Sequence, residues 1–553
     1  MPTVLVDGQE IEIDADERLN CIEVARRAGV EIPHYCWHPG LSVVASCRMC
    51  LIQTGTRNTE TGDVSMVPKL VPGCQTPVKD GTVIVTNSEV VRESRARVEE
   101  ALLIDHPIDC PICDKAGECL LQDYHFEHGQ SERRADIHAF SSRRRDVGPT
   151  VTLFVDRCIM CTRCVRFTRE VTGTGELMVD GRGSTGQIDV FPGMALDNEL
   201  ASNVIDLCPV GALLDKDFLF KQRVWFLTKT PSIDGITSSG DNIWVEHNEG
   251  TVHRIKPREN PDLNDWWITD EVRYGWKFVH DEGRLRLPAV RGRDPFDPTR
   301  AGDAWRESLT AANEVLETGV RDGRIGLLVS PMLSCEDAYL LAQWVRSIDA
   351  DVVFGIGPVP IDGEDRSYGE YVVRAEKAPN ARGVRRVLTG LLGGEAGGIL
   401  EADAFLAEAK AGRFSATVIT GNYASDWVTP EWADAVAAKP YILIDTLPSR
   451  LVDAASVLLP GATWMEKAGS FQNADDRLQA FERSIATIDY CKGEAQIGID
   501  LLAAHEGRAP VKFDPEQTRA EISTLPGLSG FRGEIVRPEA KVSLDSDMLT
   551  VDL

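Results

Sequence analysis

The stretch Cys158-Ile-Met-Cys-Thr-Arg-Cys164 places three cysteines two residues apart, and a fourth cysteine follows at Cys208-Pro209. A tight loop of this kind can aim its thiolates at one metal centre, while the remote cysteine closes the site through the fold. The spacing is typical of bacterial ferredoxins, although no nearby fourth cysteine completes the run. The stretch therefore predicts one [4Fe-4S] cluster, held by Cys158, Cys161, Cys164 and Cys208.

Two further groups of four donors precede this stretch. In each group, a Cys-x2-Cys pair is accompanied by more distant donors. The first group is interpreted as a [2Fe-2S] site, although the gap between its first two cysteines is longer than in plant-type ferredoxins. The second is interpreted as a [4Fe-4S] site. The ligands are Cys36, Cys47, Cys50 and Cys74 in the first group, and His106, Cys110, Cys113 and Cys119 in the second.

His106 needs a separate argument, because a lone histidine is usually a structural or surface residue. Here it closely precedes the Cys110–Cys113 pair and completes a set that otherwise has three ligands. Imidazole is an accepted ligand of iron. We therefore interpret His106 as a ligand.

Two other uses of the cysteines are open. Structural zinc also takes four cysteines, or three cysteines and a histidine, at similar spacings. Disulfides would need an oxidising compartment, and no basic-then-apolar signal peptide follows Met1. Three consecutive groups favour iron–sulfur clusters over both alternatives.

These motifs also carry a family resemblance. The segments Ser46–Leu51, His106–Cys113, Arg157–Phe167 and Cys208–Ala212 closely resemble the family of large iron–sulfur subunits, the G subunits, of bacterial NADH-quinone oxidoreductase, respiratory complex I. The resemblance is strong in the first half and looser in the rest. It implies a component of a translocase that relays electrons from the flavin subunit through one [2Fe-2S] and two [4Fe-4S] clusters towards quinone.

The same resemblance implies partners and a location. The partners would be the flavin- and NADH-binding subunit and the membrane-proximal iron–sulfur subunits, so this chain would not itself bind NADH. The chain would lie at the cytoplasmic side of the bacterial inner membrane, attached through the complex.

Composition and charge limit the function classes. The 553 residues, 43% of them hydrophobic, predict several domains with sizeable cores, and there is no uncharged apolar run long enough to span a bilayer. A net charge of −27 argues against nucleic acid and against direct docking on anionic lipid. Cys335 and Cys491 are the only cysteines after Cys208, so the redox chemistry is expected in the N-terminal part.

The predicted fold class is multidomain α+β and α/β. A hairpin, a helix and a cysteine loop at the N-terminus resemble a β-grasp ferredoxin, and strand–helix alternation beyond residue 288 predicts a parallel sheet. The expected domains are a β-grasp [2Fe-2S] domain at 1–80, a helix with a [4Fe-4S] segment at 81–125, a ferredoxin-like [4Fe-4S] domain at 126–222, a small β-domain at 223–288, an α/β domain at 289–510 and a C-terminal extension at 511–553.

The C-terminal half resembles molybdopterin oxidoreductases, through Glu466–Asn473 and Arg477–Gln479 as well as the small β-domain. In that family, cysteines near 232–240 hold a cluster, but this segment has none, so no further cluster and no molybdopterin are expected. The alternative functions are a molybdopterin formate dehydrogenase catalytic subunit and a hydrogenase diaphorase subunit. The first would need a metal-bound cysteine, and Cys335 lacks an adjacent histidine, so we interpret it as a core residue.

Four smaller features complete the sequence-based picture. Gly181–Gly186 matches a dinucleotide fingerprint, but Gln187–Pro192 predicts a strand where the fingerprint requires a helix, so we reject it. Cys21 is interpreted as a buried core residue. The basic clusters at 133–134 and 143–145 are expected in a solvated loop, with contact to an acidic subunit as the alternative. The tail after Ala509 is expected to be loosely packed.

Overall fold

The computed structural model describes residues 2–58, 60–132, 134–135, 144–293, 296, 298–394, 398–533, 535–536 and 542–543. The chain divides into two units, Met1–Phe226 and Leu227–Leu553. Arg133 and Arg143 of the predicted basic clusters lie outside the described residues, as do residues 544–553 of the tail.

The first unit opens with a mixed sheet and one helix that match the predicted β-grasp fold. Its strands run in the order β2-β1-β6-β3-β4, with β5 beside β3 and with β1 parallel to β6. Asn20 caps the helix in a capping box with Glu23. The elements are β1 (Thr3–Val6), β2 (Gln9–Glu12), α1 (Cys21–Arg27), β3 (Leu51–Arg57), β4 (Val64–Met66), β5 (Val71–Pro72) and β6 (Thr82–Val85).

Helix α2 (Glu89–Asp105) connects this sheet to the second ligand group. Its N-cap is Ser88, and Thr86 hydrogen-bonds the carboxylate of Asp7. Its most buried positions include the charged residues Arg95 and Glu99 beside Val91. Glu99 accepts a hydrogen bond from the hydroxyl of Tyr35, so this helix is fixed to the cysteine loop by polar contacts.

The rest of the first unit consists of short elements that bring the ligand loops together. Strands β11, β8 and β7 form an antiparallel sheet, and β9 and β10 form a hairpin. The elements are α3 (Leu120–His128), β7 (Arg145–Asp146), β8 (Val151–Leu153), α4 (Arg163–Glu170), β9 (Leu177–Asp180), β10 (Gln187–Val190), α5 (Asn203–Leu207) and β11 (Leu213–Asp215).

The second unit begins with a small antiparallel sheet. Strands β12 (Thr228–Ile233), β13 (Asn242–Asn248) and β14 (Thr251–Pro257) pair in sequence, and the predicted turn at 248–250 joins the last two. Helix α6 (Asp270–Tyr274) packs on β14, and Val272 and Trp276 enter the core of this sheet.

A seven-stranded sheet forms the larger part of the second unit, and its parallel strands confirm the predicted α/β class. Strand β15 adds to one edge in the antiparallel sense. The elements up to the last strand of this sheet are β15 (Ala289–Val290), α7 (Ala301–Asp322), β16 (Arg324–Val329), α8 (Cys335–Ile348), β17 (Val353–Ile356), β18 (Arg366–Tyr368), β19 (Tyr371–Val373), α9 (Ala381–Leu391), β20 (Ile399–Leu400), α10 (Ala402–Lys410), β21 (Phe414–Thr420), α11 (Pro430–Ala437), β22 (Tyr441–Asp445) and β23 (Val457–Pro460).

The remaining elements show that the tail was predicted incorrectly in part. Ile522, Leu528 and Phe531 belong to the main core of the second unit, and the buried Arg519 pairs with Glu336 at 2.7 Å. Ile522, Leu525, Leu528 and Phe531 follow one another at three-residue intervals, so the sequence held a helical signal for this packing. The elements are β24 (Gly469–Gln472), β25 (Leu478–Phe481), α12 (Glu494–Glu506), α13 (Pro515–Ile522), α14 (Gly530–Gly533) and β26 (Val542–Ser543), which pairs with β12.

Candidate metal centres

The cysteines of the Cys158 group line one small cavity in the first unit. Met160 and Thr162 take left-handed conformations, at φ 54° and 59°, and thereby turn the loop tightly between the cysteines. The backbone N–H of Met160 donates to the Sγ of Cys158 at 3.3 Å. Cys208 follows the last residue of α5 and completes the lining, so the structure brings all four predicted ligands together.

The His106 group lines a second small cavity, to which all four predicted ligands contribute. The Nδ1 atom of His106 is buried and has no hydrogen-bond partner among the described residues. An unpaired buried nitrogen is costly unless it binds something. It is therefore suited to ligate a metal centre.

Gly211 lies against this second cavity, although it comes from the Cys208 loop. A Cβ atom added at Gly211 would lie 2.2 Å from the Sγ of Cys113. Only glycine leaves the sulfur in place here, because a real Cβ cannot approach so closely. Gly211 thus links the second ligand group to the third.

The Cys36 group lies in the loop before β3 and near β5. Cys36, Cys50 and Cys74 are almost fully buried, and the Sγ atoms of Cys50 and Cys74 are 3.4 Å apart. Ala45 and Arg48 take left-handed conformations on either side of Cys47, which resembles the arrangement in the Cys158 loop.

The proton affinities of the donors reflect this burial. Burial raises the pKa of Cys119 and of Cys161 to about 11, and it also raises the pKa of Cys164. The hydrogen bond from Cys47 lowers the pKa of Cys36 to about 5. Burial, and then the charge of Arg157, lowers the pKa of His106. The imidazole is therefore held in the neutral form that ligates metal, whereas buried thiols need a cation to compensate their thiolate charge.

The residues of all three groups fit iron–sulfur clusters on these observations. Soft sulfur donors surround two defined cavities, and an orphaned imidazole nitrogen completes one of them. Among the described residues, no three His, Cys, Asp or Glu side chains converge on the position of a single ion.

Sequence analysis missed three buried arginines beside these groups. Arg157 lines the His106 cavity and pairs with Asp109 at 3.0 Å. Arg163 and Arg166, on α4, donate to backbone carbonyls of the Cys36 loop. All three occur in the Arg157–Phe167 stretch, and their clustering among ligand cysteines was an available signal.

The other three cysteines are buried and lie outside the ligand groups, although Cys21 packs in the same core cluster as Cys50 and Cys74. Cys21 belongs to the core of the β-grasp sheet, and burial raises its pKa to about 12. Cys335 is fully buried in the second unit, with its Sγ 3.6 Å from the amide oxygen of Asn380. Cys491 donates to the carbonyl of Leu285. These environments are those of small core residues.

The cysteine-free segment 232–240 is organised around a carboxylate. Asp234 is fully buried and accepts hydrogen bonds from the backbone N–H groups of Ile236 and Thr237, at 2.7 and 3.0 Å. The hydroxyls of Thr237 and Ser239 also donate to it. The Gly181–Gly186 segment connects the antiparallel strands β9 and β10, so it opens no helix.

Four family models match the chain. They are described as a 2Fe-2S iron-sulfur cluster binding domain (residues 2–89), the NADH-ubiquinone oxidoreductase-G iron-sulfur binding region (95–134), the NADH-quinone oxidoreductase subunit 3 ferredoxin-like domain (148–214) and the NADH-ubiquinone oxidoreductase NDSU1/NuoG-like 4Fe-4S domain (227–277). These matches confirm the predicted [2Fe-2S] and [4Fe-4S] ferredoxin-type domains. The last matched range contains no cysteine.

Curated relatives include the mitochondrial NADH-ubiquinone oxidoreductase 78 kDa subunit of Neurospora crassa. It is 40% identical over 317 residues, which cover 57% of this chain and 40% of that protein. The NADH-quinone oxidoreductase G subunit of Rickettsia felis is 34% identical, over 63% of this chain and 49% of that protein. The chain thus spans about half or less of the length of these relatives.

A solved structure of an NAD+-reducing [NiFe]-hydrogenase in the H2-reduced state is also similar. It shares 29% identity and a TM-score of 0.33, with 40% of this chain and 91% of that chain covered. No helix among the described residues is long and apolar enough to cross a membrane.

Proposed function

We propose that this chain, a homologue of the large iron–sulfur subunit of NADH-quinone oxidoreductase, is an electron-transfer subunit that carries one [2Fe-2S] and two [4Fe-4S] clusters. It would relay electrons from a flavin subunit towards quinone. The observation that carries the proposal is the convergence of two complete ligand sets on two defined cavities, with the orphaned His106 Nδ1 in one of them.

The first ligand group supports the [2Fe-2S] assignment by its position. Cys36, Cys47, Cys50 and Cys74 lie in a β-grasp domain, and residues 2–89 match a 2Fe-2S domain model. The set His106, Cys110, Cys113 and Cys119 and the set Cys158, Cys161, Cys164 and Cys208 lie in ranges matched by iron–sulfur models of complex I subunits.

The clusters would supply one-electron redox chemistry, and the chain controls their surroundings. Most ligand cysteines are buried, whereas Cys47, Cys110 and Cys158 are half-buried, and Gly211 leaves room for the Cys113 sulfur. Arg157 places a buried positive charge at the His106 cavity, which favours the more negative, reduced state.

The second unit has no assigned redox role in this proposal. Its segment at 232–240 holds a hydrogen-bonded carboxylate in place of cysteines, and Cys335 is a core residue. We therefore propose that this chain binds no molybdopterin and no third [4Fe-4S] cluster. The proposed domains are those at 1–80, 81–125, 126–222, 223–288, 289–510 and 511–553.

The proposed partners are other complex I subunits, namely the flavin- and NADH-binding subunit and the membrane-proximal iron–sulfur subunits. The chain would be attached peripherally, at the cytoplasmic side of the bacterial inner membrane. The names of the relatives support this assignment.

The first prediction concerns metal content. Anaerobically purified full-length protein should contain about ten irons per chain, from one two-iron and two four-iron clusters. Metal analysis should find neither molybdenum nor fluorescent pterin products after denaturation. About three zincs per chain without iron would contradict the proposal. As a control, Cys335→Ser removes a cysteine outside the ligand groups and should leave the iron content unchanged.

A further inference from the structure

Helix α4 connects two of the ligand groups directly. Arg166 is buried and lies two residues after the ligand Cys164. Its Nη2 donates to the backbone carbonyls of Cys36 and of Cys161, the latter at 3.3 Å, and its Nη1 donates to the carbonyl of Ser42. One guanidinium therefore bridges the loop of the first ligand group and the loop of the third.

Two neighbours on the same helix extend this connection. Arg163 donates to the carbonyl of Trp37, the residue after Cys36, and to the carbonyl of Leu207, the residue before Cys208. Glu170 accepts hydrogen bonds from the N–H and hydroxyl of Ser42, at 2.8 and 2.6 Å. The 36–42 segment is thus held at three positions along α4.

The charge of these arginines has no carboxylate partner among the described residues. Both guanidinium groups are buried, they donate to neutral carbonyls, and neither Nε atom has a hydrogen-bond partner in the described part of the chain. A buried cation without a counter-charge is costly. Thiolate-bound clusters on either side of α4 would be anionic and would supply the missing counter-charge.

We propose that Arg166 is a positioning residue that fixes the Cys36 loop against the Cys158–Cys164 loop, so that the two clusters form a directly coupled pair whose reduced states its charge stabilises. The inference rests on the proposed function. In the step it serves, one cluster loses an electron and the other gains it. No bond is formed or broken, and no proton moves.

The test uses three variants of the full-length protein. Arg166→Met removes the charge but keeps similar volume. Arg166→Lys keeps the charge, but its compact ammonium cannot reproduce the planar fork that reaches three carbonyls. Arg169→Met is the matched control, because Arg169 is an exposed arginine on the same helix. Each protein is titrated potentiometrically, with electron paramagnetic resonance of the reduced clusters and iron analysis.

In Arg166→Met, the midpoint potentials of the Cys36 and Cys158 clusters should both fall, while that of the His106 cluster should stay within error. The expected fall is about 59 mV for a one-electron couple, which corresponds to about a tenfold change in the ratio of oxidised to reduced cluster at a fixed solution potential. In Arg166→Lys, both potentials should be nearly retained, but the magnetic interaction between the two reduced clusters should weaken. Arg169→Met should match the wild type.

Several outcomes would overturn the inference. They are unchanged potentials and magnetic interaction in both Arg166 variants, a shift confined to one cluster, or an equal shift in Arg169→Met. If Arg166→Met loses iron, the iron content of Arg166→Lys is decisive. Loss of only the Cys36 and Cys158 clusters in that variant supports a positioning role, whereas loss of all three clusters shows a general folding role. A wild-type protein without clusters would instead refute the proposed function itself.

Discussion

The Cys158 loop and the segment 232–240 both lie in ranges matched by 4Fe-4S family models, yet they are built differently. In the first, four cysteines line one small cavity. In the second, the carboxylate of Asp234 occupies the centre of the loop and accepts hydrogen bonds from two N–H groups and two hydroxyls. Protein atoms thus organise the second loop without sulfur donors.

Packing around the 232–240 segment supports the same conclusion. A Cβ atom added at Gly235 would lie 2.4 Å from the ring of Trp464, and one added at Gly240 would lie 2.7 Å from Asn473. Neighbouring side chains therefore fill the space beside both glycines. A loop can hold its conformation without metal ligands, because hydrogen bonds that converge on one buried carboxylate can define its backbone.

The largest effect that would test the contrast between ligand loops and metal-free loops is expected from Gly211→Ala. The added methyl group would displace the Sγ of Cys113, which lies 2.2 Å from the ideal Cβ position. The His106 cluster should therefore be lost, which would lower the iron content by about four per chain. The measurement is iron analysis with low-temperature electron paramagnetic resonance.

The control for this variant is Gly302→Ala in α7, where an added Cβ would meet no atom within 4 Å. It should retain the full iron content. Retention of all three spectroscopic signals in Gly211→Ala would contradict the geometry of the second cavity. Loss of every signal would show that Gly211 is needed for the folding of the whole first unit rather than for one cluster.

An intermediate effect is expected from His106→Cys, which makes the second ligand group chemically equal to the third. The imidazole is neutral, so its replacement by a thiolate adds one negative charge to the cluster in both oxidation states. The midpoint potential of that cluster should fall by on the order of 100 mV, and those of the other two should change little. Potentiometric titration followed by electron paramagnetic resonance measures this. If no midpoint changes, His106 is not a ligand.

Much of this architecture could be predicted from local sequence. Ligand spacing predicts the three groups, and the alternation of strands and helices predicted the observed parallel sheet, because both signals lie within short windows. What escaped prediction depends on distant partners. Arg95 and Glu99 are buried on α2 where charged residues are normally exposed, and Arg519 is buried by its pairing with Glu336 in a distant helix. No local pattern encodes such pairs.

The same limit applies to the sites. The sequence indicates which cysteines act together, but it does not indicate that Gly211 of one ligand loop makes room for Cys113 of another. It also shows that 232–240 lacks cysteines without showing what replaces them. Asp234 could be recognised as the centre of that loop only after Thr237 and Ser239 were seen to surround it.

The smallest expected effect concerns pH, to which the two kinds of loop should respond in opposite senses. Acid protonates cysteine ligands and so weakens metal binding in the first unit. In the second unit, burial, and then the charge of Asp234, raises the pKa of Asp241 to about 8, while the hydroxyl of Tyr371 donates to its carboxylate at 2.7 Å. Folded Asp241 therefore keeps its proton at pH values where the unfolded chain has released it.

The sign of the effect on stability follows from this difference. An unfolded aspartate titrates near pH 4, so the stability that Asp241 contributes is complete below that pH and is lost as the pH rises towards about 8. An asparagine side chain cannot ionise, so the substitution Asp241→Asn should remove this dependence.

Between about pH 5 and 7, the free energy of unfolding of the variant relative to wild type should rise by up to about 1.4 kcal/mol per pH unit. Urea unfolding of the full chain at several pH values measures it, with the exposed Asp403→Asn as control. A difference that is independent of pH would show that Asp241 is ionised in the folded protein, and an equal difference in both variants would show that the pH dependence does not arise from Asp241.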